Sequence, residues 1–414
     1  MAKLTAIPIF LLGCFIQSAE AQDWLAWRGP KGDGIVRGCA WNPEALKDGA
    51  KIRWRVDVGK GHSSVAVRGT RLWTMGSRAA KNPEKGENVI CCLDARTGQA
   101  LWRHAFACKP GSYPGPYSTP VVDGDRVYAL SGSGHLHCLN AETGAVVWKR
   151  NLKDDGTIPK SSEMAASPLV YKTLLLLNLN TSGLALDKRT GETVWTSPQD
   201  PAGDATPVLF TYKGRPAVIL PVKSHLHIVH AETGEVLWRS DSFFMQEPLF
   251  MGDRMFLFEH KKAVLYNLTG KEPVQTWCNP AASCQFQRFI RFGDHAYGLG
   301  KNTSHAVQKF YCIRLSDGEK MWEVDLDKWG SLIGAEDGHL IIIQGLGELV
   351  IARATPEGFC PVSRAQVMET RIPAQHDSTL LESHCWTNPV LANGFIYVRS
   401  SEGELVCVDM RSSL

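Results

Sequence analysis

The chain has 414 residues, with 45 lysines and arginines against 42 aspartates and glutamates, so its formal net charge is +3. A composition of 44% hydrophobic and 21% charged residues is that of a globular protein and argues against a disordered chain, a coiled coil or a collagen-like fibre. The near-neutral charge balance provides no electrostatic footprint for nucleic acid, and none is predicted as a partner.

The first 21 residues have the pattern of an export signal. Lys3 is a short positive start, residues 4–16 are mostly apolar, and residues 19–21 read Ala-Glu-Ala, a small-x-small cleavage site. The apolar run is too short for a membrane span. We therefore predict a signal peptide over 1–21 and an exported protein, periplasmic or extracellular. A second interpretation remains open, in which Cys14 of the sequence Leu-Leu-Gly-Cys is lipidated and tethers the chain to a membrane.

A repeated unit organises the rest of the chain. It consists of an apolar residue, then Asp, Asn or His, and then Ala-x-Thr-Gly-x-x-x-Trp. Four well-formed copies end at Trp102, Trp148, Trp195 and Trp238, weaker copies end at Trp277 and Trp322, and a degenerate copy at 354–359 lacks its tryptophan. Successive tryptophans are 46, 47, 43, 39 and 45 residues apart, which is typical of propeller blades.

The second copy shows what one unit is expected to build. Strands are predicted over 119–123, 126–131 and 135–140, and a fourth strand passes through Trp148, with Gly, Asp and Asn turns between them. The Thr-Gly pair supplies a turn that needs a residue tolerant of positive φ. The tryptophan then starts the outer strand, where it can pack between neighbouring sheets.

The two termini complete one blade between them. The last unit has strands over 395–399 and 405–409 and stops before any tryptophan strand, whereas residues 52–56 contain Trp54 with no preceding strands. Seven turns and one split blade predict an all-β, eight-bladed propeller of four-stranded antiparallel sheets over 52–414, closed by N- and C-terminal strands. Residues 22–51 are predicted to form an N-terminal lead-in to this ring.

These repeats resemble the PQQ-like repeat family, whose eight-bladed propellers include quinoprotein alcohol dehydrogenases and the outer-membrane assembly factor BamB. The lead-in, with Trp-Leu-Ala-Trp-Arg-Gly-Pro at 24–30 and Gly-Asp-Gly at 32–34, also looks like that of secreted bacterial members. The resemblance covers nearly all of the predicted mature chain and implies the fold. For activity it implies a BamB-like binding protein or a dehydrogenase that uses pyrroloquinoline quinone (PQQ) and calcium.

Cysteine and histidine pairs could carry chemistry. The dehydrogenases have a vicinal disulfide over the quinone, and this chain has adjacent Cys91 and Cys92, but cysteine recurs at the position of Cys92 in other repeats, which favours a small buried strand residue. His-x-His pairs at 135–137 and 225–227 could bind a metal, but they fall in blades that are not neighbours, and strand residues are the preferred interpretation. Cys278 and Cys284 flank a short loop that a disulfide could bridge.

The start of each innermost strand marks a candidate binding site. Ser, Thr, Glu or Asn, in most repeats followed by Pro, begins these strands on one rim of the channel, and a polar and aromatic collar precedes them. Channel mouths of this kind bind ligands or partner peptides. The candidate residues are His62, Tyr117, Glu163, Asp204, Gln246, His384 and Trp386.

The sequence favours a non-catalytic scaffold that binds an envelope protein or peptide, with no catalytic residue, cofactor or metal predicted and a monomer expected. The alternative is a PQQ- and calcium-dependent alcohol or sugar dehydrogenase that uses the channel mouth. A further alternative is a carbohydrate-binding propeller that stacks sugars on Trp386 and on Tyr113 or Tyr117. Seven of the 13 tryptophans are spaced as blade residues, three lie in the lead-in, and Trp73 is expected on a second strand, which leaves Trp329 and Trp386 available for a function.

Overall fold

The computed structural model describes residues 23–78, 86–108, 115–159, 164–179, 182–197, 205–221, 226–240, 247–259, 262–282, 284, 289–300, 307–327, 330–369 and 385–412. Within them, 33 strands form eight sheets, which confirms the predicted all-β, eight-bladed propeller. The first strand of a blade lies innermost, beside the first strand of a neighbouring blade. In this part of the chain no helix has the length and apolar character needed to cross a membrane.

The first four blades follow one another along the chain, and each runs from its inner to its outer strand. Blade 1 comprises β3 (Ala66–Arg68), β4 (Arg71–Arg78), β5 (Glu87–Asp94) and β6 (Ala100–Ala107). Blade 2 comprises β7 (Val121–Asp123), β8 (Arg126–Leu130), β9 (His135–Asn140) and β10 (Val146–Asn151). Blade 3 comprises β11 (Leu169–Tyr171), β12 (Leu174–Leu179), β13 (Ser182–Asp187) and β14 (Thr193–Thr196). Blade 4 comprises β15 (Val208–Tyr212), β16 (Arg215–Pro221), β17 (Leu226–His230) and β18 (Val236–Ser240).

The remaining blades continue this order, and the two N-terminal strands join the last two of them. Blade 5 comprises β19 (Leu249–Met251), β20 (Arg254–Glu259), β21 (Lys262–Asn267) and β22 (Val274–Asn279). Blade 6 comprises β23 (Phe289–Phe292), β24 (His295–Gly300), β25 (Val307–Arg314) and β26 (Lys320–Asp327). Blade 7 comprises β27 (Ser331–Ala335), β28 (His339–Ile343), β29 (Glu348–Arg353) and β30 (Cys360–Gln366), with β1 (Ile35–Val36) added. Blade 8 comprises β31 (Val390–Ala392), β32 (Phe395–Arg399), β33 (Glu404–Asp409) and β2 (Ile52–Asp57).

Blade 8 is closed by both ends of the chain, as the sequence predicts. Strand β2 pairs antiparallel with β33, so that Ile52 lies opposite Val408 and Trp54 lies opposite Cys407. The N-terminal strand thereby occupies the outer position that the C-terminal unit lacks. Closure from both termini leaves no gap in the ring and protects the sheet edges that an open array would expose.

The lead-in lies inside the ring, which the sequence did not predict. We call the rim of the channel where the innermost strands begin the start rim, and the rim where they finish the end rim. Strand β1 pairs parallel with innermost strand β27 of blade 7, Trp24 exchanges backbone hydrogen bonds of 2.8 Å with Val67 of blade 1, and the Arg28 guanidinium donates to the carbonyl of Phe289 in blade 6. Residues 24–36 therefore contact blades 1, 6 and 7, with Trp24 and β1 near the end rim and the Arg28 side chain reaching the first residue of β23.

The repeated tryptophan and glycine meet across five of the blade boundaries in the described part of the chain. The indole N–H of Trp54 donates to the carbonyl of Ala95 in the next blade at 3.1 Å, and Trp102 donates in the same way to Ala141 at 3.0 Å. Gly98 in the Thr-Gly turn of blade 1 has φ +74°, and a Cβ on it would stand 2.8 Å from the Trp54 ring. Glycine is required there by both the backbone conformation and the close approach. The repeated tryptophan therefore packs against the next blade and joins the two blades.

The core is divided among the boundaries between blades. Each of its hydrophobic clusters contains residues of at least two neighbouring sheets, and one of them includes Leu136 of blade 2 and Leu175 of blade 3. The middle strands are buried on both faces, and β12 is accordingly apolar except for the buried Asn178, with the sequence Leu-Leu-Leu-Leu-Asn-Leu. The outer strands are solvated on one side, so β6 alternates between exposed and partly buried positions.

Candidate functional site

A belt of hydrogen bonds runs around the channel at the start rim. A backbone N–H of one blade donates to the side-chain oxygen of the equivalent residue in the next blade, at distances of 2.8–3.1 Å. The residues that the sequence marks as innermost-strand starts form this belt from blade 1 to blade 5: Ser64, Thr119, Ser167, Thr206 and Glu247. The recurrent hydroxyl and carboxyl residues therefore join neighbouring blades, and they hold the residues before them at the rim.

Three of the predicted site residues come together beside this belt. The rings of His62 and Tyr117 are stacked, with centroids 5.5 Å apart and planes inclined by 5°. The Trp386 ring lies 5.9 Å from His62 and is tilted by 40°. All three side chains are partly buried. We call these residues, from blades 8, 1 and 2, the three-ring cluster.

Backbone contacts between blades hold the three-ring cluster in place. The carbonyl of Pro116, beside Tyr117, accepts hydrogen bonds from the backbone N–H groups of His62 and Ser63 at 2.8 and 3.0 Å. On the other side, the Thr387 hydroxyl, beside Trp386, donates to the His62 carbonyl at 3.2 Å. The rings therefore lie on a rigid backbone that joins the first and last blades. The other predicted site residues lie outside the described residues, as do Tyr113 and Trp329: Glu163, Asp204, Gln246 and His384.

A buried arginine, which the sequence analysis missed, supports the three-ring cluster. Arg399 of β32 is 2% exposed and crosses from blade 8 into blade 1. Its guanidinium donates to the carbonyls of Ser63 and Gly59, each at 2.7 Å, to the Thr74 hydroxyl at 3.0 Å and to the carbonyl of Met75. Burial lowers its pKa to about 10, so it stays charged at neutral pH. A sequence signal existed, because Arg399 ends an otherwise fully apolar strand.

The environment of His62 keeps its imidazole neutral. Burial, and secondarily the positive charge of Arg399, lower its pKa to about 4 from an ordinary value of 6.5. Its Nδ1 atom is buried and has no hydrogen-bond partner among the described residues. At neutral pH the three-ring cluster is therefore an uncharged aromatic surface above a buried positive charge.

Lowering the pH from 7 to 4 is expected to destabilise the wild-type chain more than the His62→Gln variant, by roughly 2–3 kcal/mol of unfolding free energy. Unfolded His62 takes up a proton near pH 6.5, whereas the folded protein does so only near pH 4. The contribution of neutral His62 to the free energy of unfolding is therefore fully present above pH 6.5 and is lost as the pH falls from 6.5 to 4. Urea unfolding at each pH measures it, and parallel pH profiles for the two proteins would show the assignment to be wrong.

The adjacent cysteines are strand residues of the core. Cys91 packs in the cluster that joins blades 7, 8 and 1, whereas Cys92 packs in the cluster between blades 1 and 2. Successive side chains of a strand point to opposite faces, so in this geometry the two sulfur atoms cannot form a vicinal disulfide. Burial raises the pKa of the Cys92 thiol to about 12. The pair therefore does not fit the disulfide that the dehydrogenases place over their quinone.

The recurrent cysteine position has the same structural role in four blades. Each of these cysteines is fully buried and lies opposite the tryptophan of its own blade: Cys92 by Trp102, Cys138 by Trp148, Cys312 by Trp322 and Cys407 by Trp54.

The disulfide suggested between Cys278 and Cys284 is absent, and both are free cysteines. Cys278 is exposed, whereas Cys284 is buried and donates to the Leu299 carbonyl.

The first histidine pair lies between blades 1 and 2. The His137 ring packs 4.3 Å from Phe106 and 5.1 Å from His104, and burial lowers its pKa to about 3. His135 lies within 3.3 Å of the Asn151 amide. His227 of the second pair is buried, whereas residue 225 lies outside the described residues. Across the described ranges, no three His, Cys, Asp or Glu side chains are grouped to hold a metal ion.

Comparison with known proteins decides the family. The sequence profile of the family described as "Outer membrane protein assembly factor BamB" matches residues 85–218 and 180–414. The chain belongs to this family. Its members' PQQ-like repeats account for the spacing of tryptophans and Thr-Gly turns, and the BamB-like resemblance is confirmed.

Individual relatives of this BamB family member divide between two kinds of protein. BamB from Escherichia coli is 27% identical over 218 residues, which cover 50% of this chain and 51% of that protein. Polyvinylalcohol dehydrogenase from Sphingopyxis sp. is 29% identical over 151 residues, which cover 31% of this chain and 22% of that protein. The chain thus spans about a fifth to a half of the length of these curated relatives.

Solved structures show the same division. BamB from Moraxella catarrhalis superposes with a TM-score of 0.62 at 16% identity and covers 88% of this chain and 98% of its own. Quinohemoprotein alcohol dehydrogenase from Comamonas testosteroni superposes with a TM-score of 0.66 at 12% identity and covers 98% and 83% of the two chains. At these identities the similarity shows the propeller fold alone.

Proposed function

We propose that the protein is a non-catalytic scaffold of the cell envelope that binds a protein or an extended peptide at the start rim of its channel. The observation that carries this proposal is the three-ring cluster, in which His62, Tyr117 and Trp386 come from three blades and share one surface. Rigid aromatic side chains supply contact area at low entropic cost, which is why they are enriched at the centres of protein interfaces.

Two further features support a binding role. The lead-in bonds to innermost strands near the end rim, so the chain's own residues occupy that end of the channel, opposite the three-ring cluster. The family carries the name of an outer-membrane protein assembly factor, and export follows in this proposal from the signal-like residues 1–21. We place the protein in the periplasm or tethered to a membrane through Cys14.

A photo-crosslinking experiment in exporting cells tests the proposal. p-Benzoylphenylalanine at position 386 is expected to give one discrete adduct with an envelope protein, and Tyr117→Ala is expected to abolish that adduct. The matched control places the same residue at position 41, because Trp41 bonds to Asp337 beside the end rim. Equal adducts at positions 41 and 386, or no adduct at 386, would contradict the proposal.

The second candidate is a quinone-dependent alcohol or sugar dehydrogenase. The similarity to proteins named polyvinylalcohol dehydrogenase and methanol dehydrogenase favours it. Against it stands the geometry of Cys91 and Cys92, whose side chains lie in separate clusters on opposite faces of blade 1. The sequence also shows no residue-by-residue match to the calcium ligands and the aspartate base of those dehydrogenases.

A further inference from the structure

A cleft of about 480 Å³ lies between blades 8 and 1 at the end rim. It is therefore on the face of the propeller opposite the three-ring cluster. Arg53 and Arg411 of blade 8 and Arg96 of blade 1 line it, together with the aromatic residues Phe395 and Tyr397. Clefts that hold small ligands have volumes of about 300–1,000 Å³, so this one is large enough for a compact molecule. Neither the family resemblance nor the proposed scaffold function uses it.

One carboxylate organises the two arginines of blade 8. The Nε and Nη2 groups of Arg411 donate to the two oxygens of Asp409 at 2.8 and 2.7 Å, and Arg53 Nε lies 3.9 Å from the same carboxylate. The Arg411 guanidinium also lies 4.6 Å from the centroid of the Phe395 ring. Asp409 and Phe395 therefore hold the Arg411 guanidinium in one orientation and leave its Nη1 group for a ligand. Because the side chain is already ordered, the entropic cost of binding is reduced.

The third arginine adds positive charge from the other wall. The Arg96 side chain has no ion pair among the described residues. The nearby Asp94 carboxylate is directed into its own turn, where it accepts hydrogen bonds from the backbone of Arg96 and from Thr97. Three guanidiniums thus line the cleft, and the Asp409 carboxylate pairs only with the two of blade 8, so the excess charge is positive.

The floor of the cleft is apolar and rigid. Phe395 and Tyr397 are 6% and 1% exposed on strand β32, and the Tyr397 hydroxyl already donates to the carbonyl of Ala95 at 3.1 Å. The Asn393 amide closes one wall with a 2.7 Å hydrogen bond to Gly69. The tyrosine therefore contributes mainly its ring to the cleft, which suits the apolar part of a ligand.

We propose that this cleft binds an oxyanion, a carboxylate or a phosphate, carried on a compact apolar body. Guanidinium groups bind both oxyanions with charge-assisted and often bidentate hydrogen bonds. The aromatic floor contacts the body of the ligand, while the three arginines hold its charged end. The site is independent of any partner at the start rim.

Isothermal titration of the purified full chain at low ionic strength tests the proposal with benzoate and phenyl phosphate as probes and benzyl alcohol as their uncharged analogue. One site per chain is expected for at least one oxyanion, with benzyl alcohol weaker by about tenfold or more. Arg411→Gln and Arg96→Gln are each expected to weaken oxyanion binding by about tenfold. A preference for benzoate would identify a carboxylate as the ligand group, and a preference for phenyl phosphate would identify a phosphate.

Arg55→Gln is the matched control. Arg55 lies two positions after Arg53 on β2 and pairs with Glu404 at 2.9 Å, outside the cleft. This variant is expected to bind the probes within about twofold of the wild type, since it loses only a surface ion pair. Because Arg96 makes no ion pair with a described residue, its variant tests the cleft without disturbing the Asp409 cluster. Failure of both oxyanions to bind, or equal weakening in Arg55→Gln, would overturn the proposal.

Discussion

Replacing Arg399 with alanine is expected to lower the free energy of unfolding by about 3–5 kcal/mol, because it leaves several buried acceptors without a donor. The guanidinium holds the carbonyls of Gly59 and Ser63 and the Thr74 hydroxyl, all at the junction between blades 8 and 1. Urea unfolding followed by far-UV circular dichroism measures the loss.

Two further variants test whether the lost hydrogen bonds cause the destabilisation of the Arg399→Ala variant. Arg399→Met nearly preserves the volume but donates no hydrogen bond, so most of the destabilisation should remain if the orphaned acceptors are responsible. Arg55→Ala removes an arginine from a surface pair with Glu404 and is expected to cost less than about 1 kcal/mol. A loss below about 1 kcal/mol for Arg399→Ala would mean that Arg399 does not hold the two blades together.

Replacing Trp195 with alanine is also expected to cost about 3–5 kcal/mol of unfolding free energy, the usual range for a buried aromatic residue. Its ring covers Gly234 of the next blade, and its indole N–H donates to the carbonyl of Ala231 at 3.2 Å. Trp41→Ala is the control, because this lead-in tryptophan is only partly buried and bonds to the exposed Asp337. It should cost about 1 kcal/mol, and equal losses for the two variants would contradict a special role for the repeat.

The fold could be predicted because most of the blade boundaries use the same local chemistry. At five boundaries a tryptophan covers a glycine of positive φ, and the two residues recur at a fixed spacing in the sequence, as at Trp54 and Gly98. The closing blade was predictable for the same reason, since Trp54 precedes the first full unit and the last unit lacks its tryptophan. Strand β32, over Phe395–Arg399, has the bounds that the sequence predicts.

The candidate site was predictable as a set of positions and not as a set of contacts. His62 and Trp386 both precede an innermost strand, which the repeat makes visible in the sequence. Their aromatic side chains lie 5.9 Å apart because the propeller closes between blades 8 and 1. No local sequence pattern predicts this contact. Tyr117 joins them because the Pro116 carbonyl binds the backbone of the neighbouring blade.

Some features had no usable signal in the sequence. Strand β1 has two residues, Ile35 and Val36, which is too short to show a period, and its parallel pairing with blade 7 depends on how the lead-in crosses the ring. Arg53 and Arg96 fall in different repeats, and each looks like an ordinary exposed arginine. Their shared cleft exists only because the N-terminal strand completes blade 8 beside blade 1.

Reconstitution with PQQ tests most directly the claim that the protein is a scaffold and not a dehydrogenase. Purified chain would be incubated with PQQ and calcium, freed of unbound quinone, and assayed for quinone absorbance and for dye-linked oxidation of methanol, ethanol and polyvinyl alcohol. The scaffold account predicts no stoichiometric quinone and no dye reduction above the protein-free blank. One quinone per chain, together with turnover of any of these alcohols, would contradict it.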